Sequence, residues 1–289
     1  MKRRLALLSL GGALVHGFPA AADGNVEPKK WTRRRVRFSL LLTNPTERKL
    51  KAQAIYCYLP ASALGRQNLI SASVSVPHAV IPDSYGHNLL VMEFSELQPH
   101  MRKNITVDII LNIGTLAYGS TTPSQEWLRD EPFIECDARE IRDIAVKLKR
   151  ADQISTAKAS FKWVVENIRD SGYLSEDRGA LDAILSGHGD CTEFAYLIVA
   201  LCRANGIPSR MVGGHVIVKD AVLAPYDYHN WAEVYVSGYW IIADAQKGFW
   251  DPPSNEYLAF RFHSDLISNR VGMKHRFHVD GDAQVALVE

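Results

Sequence analysis

Residues 187–195 read Gly187-His188-Gly189-Asp190-Cys191-Thr192-Glu193-Phe194-Ala195, and the fold depends on how this stretch is parsed. Beyond the glycines, Phe194, Leu197, Ile198 and Leu201 recur at helical spacing. Asp190 can act as N-cap, and Glu193 three residues on makes a capping box. The pattern predicts a helix from near Asp190 to Asn205, stopped by Gly206 and Pro208. Cys191 then sits in the first turn, at the positive end of the helix dipole. That field favours thiolate by about 0.3–1 kcal/mol, less than the roughly 1.4 kcal/mol of one pKa unit. A nucleophilic role for Cys191 therefore needs a paired base.

A base stands downstream. His229-Asn230-Trp231-Ala232-Glu233-Val234-Tyr235-Val236 is followed by Ser237-Gly238, a two-residue turn, and by Tyr239-Trp240-Ile241-Ile242-Ala243-Asp244. If Val236 pairs with Tyr239, His229 lies opposite Gln246 and Asp244 is its diagonal neighbour on the same face. One hairpin thereby carries imidazole and carboxylate together, with Asp244 placed to fix the tautomer of His229 and stabilise its imidazolium. Trp231 and Trp240 fall on that face too.

Further out, Ile141, Ile144, Ala145 and Leu148 share a helical face, as do Phe161, Val164, Val165 and Ile168. Strands are predicted at Ser209–Val218, Trp231–Val236 and Tyr239–Ala243. Helices first and strands afterwards predict an α+β domain over 121–270 rather than alternating βαβ units. Before it, Ile105, Val107, Ile109, Leu111 and Ile113 alternate with polar residues, and Asn44-Pro45-Thr46 reads as a turn. A small β-sandwich-like domain is expected over 23–120, joined through a linker at Gly119–Ser124. Nine Lys/Arg between Asp23 and Lys51 read as a charge-blunted, solvated strand edge. The tail, 271–289, has no interpretable pattern.

Met1-Lys2-Arg3-Arg4, an apolar run of 14 residues from Leu5 to Phe18, and Ala20-Ala21-Ala22 have the parts of a secretory signal peptide over 1–22. The run falls short of the about 20 apolar residues of a spanning helix. An exported protein, periplasmic or secreted, is expected, without stable membrane insertion once the leader is cleaved. Lys+Arg number 33 and Asp+Glu 32, a balance that calls for no nucleic-acid or polyanion partner. Four cysteines are too few for a disulfide framework, and without CxxC spacing they suggest no structural zinc. Cys57 and Cys202 read as core residues. His188 belongs to a loop or rim, His215 to a strand end, and their spacing with Cys191 and His229 fits no metal pattern.

The 187–195 stretch, Ala200-Leu201-Cys202-Arg203-Ala204-Asn205-Gly206-Ile207-Pro208-Ser209-Arg210, His229–Val234 and Trp240–Asp244 together resemble the core of the transglutaminase-like superfamily. Trp163 to Ile168 and Arg178-Gly179-Ala180 resemble its bacterial branch of exported cysteine peptidases. The match covers roughly 135–250; Asn44-Pro45 and Tyr58-Leu59-Pro60 resemble the N-terminal part of exported members. The resemblance implies a papain-like fold and a catalytic Cys191, His229, Asp244 triad with neither cofactor nor metal. It also implies acyl transfer from peptide, protein or cell-wall peptide substrates through a thioester. Water as acceptor makes the protein an amide hydrolase. An amine as acceptor makes it a cross-linking glutamyltransferase, and a non-catalytic binding module on the same frame is the remaining alternative.

Overall fold

The structure, a computed structural model, describes residues 30–62, 66–114 and 123–288. The predicted leader, and the predicted linker up to residue 122, lie outside the described residues. Six strands come first: β1 (Trp31–Thr43), β2 (Leu50–Leu59), β3 (Gln67–Val74), β4 (Ala79–Pro82), β5 (Asn88–Leu97) and β6 (Arg102–Gly114). Then follow α1 (Arg139–Leu148), α2 (Gln153–Asn167), β7 (Arg169–Asp170), α3 (Ala180–Ser186), β8 (His188–Gly189) and α4 (Cys191–Ala204). The remainder is β9 (Ser209–Val216), β10 (Ala221–Val222), β11 (Tyr228–Val236), β12 (Tyr239–Asp244), β13 (Phe249–Trp250), β14 (Tyr257–Phe262), β15 (Phe277–Asp280) and β16 (Gln284–Val288).

Alternation builds the N-terminal sandwich. Val36, Phe38, Leu40 and Leu42 of β1 turn inward beside Ile105, Val107 and Ile109 of β6, and meet Ile55, Cys57 and Leu59 of the facing sheet. One sheet runs β10-β1-β6-β3 with β16 also on β1; the other runs β15-β2-β5-β4. The basic strand is an edge over Trp31–Arg35, where Arg33, Arg34 and Arg35 lie, and is covered beyond it. β6 pairs with it from Trp31 to Thr43, while β10 and β16 pair with it at Val36–Arg37 and Ser39–Thr43. Arg33, Arg35 and Arg37 are exposed on the sheet's outer face, where Arg37 meets Asp108 at 2.7 Å. The tail has a structural use that its sequence did not show: β15 and β16 extend both sheets of the sandwich.

The second half is α+β, helices before strands, as predicted. An antiparallel sheet, β13-β12-β11-β9-β14, buries Ala232, Val234, Val236, Ile241 and Ala243 against α4. Trp231, Trp240, Ile242, Val212 and Tyr257 pack on the other face. Residues Thr192 to Arg203 of α4 are all buried, because α1, α2 and α3 cover the sides that the sheet leaves. Such a helix must be apolar nearly all round, and Phe194 to Cys202 are.

Two polar contacts lock the halves. Gln67 donates to the carbonyls of Ala61 and Ala259 at 2.7 Å and accepts the Ala259 N–H at 3.0 Å. Arg66 and Arg210 hold the two oxygens of buried Glu233 at 2.8 and 2.7 Å.

Candidate active site

The start of α4 is built as its sequence predicts. Asp190 Oδ1 accepts the Thr192 N–H at 2.7 Å, and Glu193 Oε2 accepts the Asp190 N–H at 3.1 Å. The second oxygen of each carboxylate holds the preceding loop: Leu174 N–H donates to Asp190 and Arg178 N–H to Glu193, both at 2.9 Å. Gly189 is needed for close approach, since a Cβ there would collide with the Glu193 side chain.

The hairpin register is the predicted one, with Val236 opposite Tyr239. Ser237 and Gly238 both take positive φ, as a two-residue turn of this twist requires. His229 Nε2 lies 2.7 Å from Asp244 Oδ2, both side chains being buried. With Asp244 ionised, Nε2 carries the proton and Nδ1 is left as the basic nitrogen. Trp231 stacks on the imidazole with ring centres 6.3 Å apart.

Three neighbours are not marked by the sequence reading. The Tyr257 hydroxyl donates to Asp244 Oδ2 at 2.8 Å, and Lys247 N–H reaches Oδ1 at 3.3 Å. Burial, then the Asp244 charge, raises the Tyr257 phenol, so it stays a donor. Asn230 Nδ2 lies 3.8 Å from Cys191 Sγ and donates to Thr192 Oγ1 at 2.9 Å. No local pattern marks Tyr257, since it reaches Asp244 from a strand on the far side of β9 and β11. Asn230 could have been found by strand alternation, as it takes the face of β11 opposite to His229.

The thiol departs from the dipole expectation. Burial pushes Cys191 up to about 12, with the Asp190 and Asp244 charges acting the same way and the Asn230 and Thr192 hydrogen bonds opposing. At neutral pH the resting group is a thiol. Cys57, Cys136 and Cys202 are buried free thiols, so none of the four is in a disulfide. His188 sits at the rim with its Nδ1 3.2 Å from Ser171 Oγ, and His215 packs between the Tyr228 and Phe260 rings.

A helix-start thiol beside a β-hairpin that carries a paired imidazole and carboxylate, within an α+β domain, defines a papain-like fold. Residues 142–245, which contain all three groups, match the family model of the transglutaminase-like superfamily. The chain thus carries a transglutaminase-like domain. An uncharacterised protein of Haemophilus influenzae is 32% identical over 96 residues, 31% of this chain and 26% of that protein's length. The solved structure of a candidate cysteine protease from Cytophaga hutchinsonii superposes with a TM-score of 0.62 at 19% identity, over 89% of this chain and 91% of that one. That likeness establishes the fold across both halves. The periplasmic domain of TgpA from Pseudomonas aeruginosa aligns with a TM-score of 0.40 at 15% identity, over 72% of this chain and 89% of that one.

Proposed function

We propose that the protein is an exported, thiol-dependent amide hydrolase acting through Cys191, His229 and Asp244. The observation that carries this reading is the 2.7 Å contact between His229 and Asp244, on the strand whose Asn230 touches Cys191. Because the thiol rests protonated, its proton leaves as sulfur attacks: His229 Nδ1 takes it while Sγ bonds to the amide carbon. Asp244 stabilises the imidazolium so formed. The Cys191 backbone N–H, a helix-start amide without an intrahelical acceptor, receives the developing oxyanion. The C–N bond then breaks, His229 protonates the leaving amine, and an acyl thioester remains on Cys191. His229 next takes a proton from water, hydroxide adds to the thioester, and the carboxylic acid departs with the thiol restored. Export rests on the basic, apolar and small-residue segments of 1–22.

The test is product analysis of the full chain with a peptide library, offering water alone or water with a labelled primary amine. Wild type is expected to release free acid and amine, and Cys191→Ala to lose at least about a thousandfold in rate. Undiminished Cys191→Ala activity would overturn the reading. Amine incorporation at the expense of free acid would replace hydrolysis with cross-linking.

A further inference from the structure

The chain between β14 and β15 returns to the sandwich past the start of β11, and two clamps fix its passage. His275 Nε2 lies 3.0 Å from Asp177 Oδ2, while the His275 carbonyl accepts the Tyr228 hydroxyl at 3.0 Å. One residue on, the Arg276 carbonyl accepts Tyr58 N–H at 3.1 Å, and Phe277 opens β15 opposite Cys57. Between these clamps the Arg276 side chain is half-buried, its guanidinium carbon 4.5 Å from the centre of the Tyr228 ring.

Tyr228 shares a face of β11 with Asn230, the residue that touches Cys191. Both side chains stand over Gly213, where a Cβ would collide with the Tyr228 hydroxyl and crowd Asn230 Oδ1. A cation from the C-terminal tail thus packs on Tyr228, whose neighbour on the same strand face, Asn230, touches the helix-start thiol.

Among the described residues three of the four buried guanidiniums hold a carboxylate, and the fourth, Arg261, donates to the Met273 carbonyl and lies 2.8 Å from His263 Nδ1. Arg66 and Arg210 meet Glu233, and Arg203 meets Glu131, at 2.6–2.8 Å. Arg276 has no carboxylate partner among the described residues. The acids of the site are engaged elsewhere: Asp177 with His275, Asp190 with two backbone amides, and Asp244 with His229 and Tyr257. A planar donor fork, drawn part of the way out of water and stacked on a ring, is prepared for a carboxylate. Asn230 Oδ1, meanwhile, is buried without a hydrogen-bond partner among the described residues. A donor site for an anion and an idle acceptor for an N–H thus stand along one face of β11, the face whose Asn230 reaches the thiol.

We propose that Arg276 determines specificity by binding a carboxylate of the substrate close to the scissile amide, while Asn230 Oδ1 accepts a substrate N–H. The substrates are then acidic peptides. This deepens the hydrolase reading and rests on Cys191 being the nucleophile.

The test compares alkylation of Cys191 in the full chain by iodoacetate, an anion, and by iodoacetamide, its neutral analogue, with the site read by peptide mapping. The iodoacetate-to-iodoacetamide rate ratio is expected to fall by roughly fivefold or more in Arg276→Gln and by less in Arg276→Lys. Arg139→Gln, which removes the same charge from the exposed start of α1, should keep the wild-type ratio. An unchanged ratio in Arg276→Gln would overturn the assignment. The wild-type chain supplies a second arm that needs no variant: N-acetylglutamate should protect Cys191 from iodoacetamide where the corresponding diamide does not. Equal protection by the two would also overturn it. If neither reagent labels Cys191 in wild type, the nucleophile itself is wrong and the carboxylate site falls with it.

Discussion

Asp244 receives three donors, and their different origins separate what a sequence shows from what only the fold shows. The partnership with His229 follows from hairpin register, because the turn at Ser237-Gly238 sets which residues share a face. Tyr257 belongs to β14, whose place in the sheet depends on the order of five strands. Its hydroxyl should matter for rate. A hydrogen bond to a charged group contributes about 1.5–3 kcal/mol, and in the proposed mechanism part of it acts on the imidazolium formed during attack. Tyr257→Phe is therefore expected to lower kcat by roughly tenfold, about 1.4 kcal/mol, with little change in KM. A variant with wild-type kcat would mean that His229 and Lys247 alone position the carboxylate. The resting thiol teaches the converse lesson: the dipole was legible in the sequence, but the burial that outweighs it was not.

At the scale of elements, α4 and the 228–244 hairpin were legible because each carries its own boundary signals. The capping box starts α4, Gly206 ends it in a positive-φ conformation, and the turn closes the hairpin. The cover on the second half of β1 is not legible, because its outer partners, β10 and β16, lie far along the chain and are short. β15 and β16, of four and five residues, carry too little periodicity to announce themselves. The capping aspartate does two jobs, ending a helix and holding the loop through Leu174. Asp190→Ala should cost about 1 kcal/mol for the cap alone, lowering Tm by roughly 2–4 °C. Proteolysis should also become faster within 171–178, whereas Asp190→Asn keeps most of the cap. Unchanged Tm and cleavage in Asp190→Ala would show that the loop is held by other contacts.

At the scale of the whole molecule, buried titratable groups set the pH range of stability. Burial, aided by the charge of Arg276, brings His215 down to about 3, and burial with Arg261 brings His263 well below its ordinary value. The unfolded chain protonates both imidazoles below about pH 6.5. The folded chain resists, so stability falls as pH drops from about 6.5 toward 3. Burial raises Cys57, Cys191 and Cys202 to about 12 and Cys136 to about 11. Unfolded thiols ionise above roughly pH 8.5, while the folded ones keep their protons, so stability also falls as pH rises beyond about 8.5. Tm should be highest between these limits, and a Tm still rising near pH 10 would contradict the thiol burial.

The same molecule-wide packing leaves Cys191 partly exposed and the other three cysteines buried, so one measurement reaches the central claim directly. Iodoacetamide labelling of the folded chain at neutral pH, with peptide mapping, compares wild type with His229→Ala. A protonated thiol that depends on His229 should be labelled first among the four cysteines in wild type, and roughly tenfold or more slowly in His229→Ala. Labelling of Cys191 at the same rate in both proteins, or preferential labelling of another cysteine in wild type, would contradict the account.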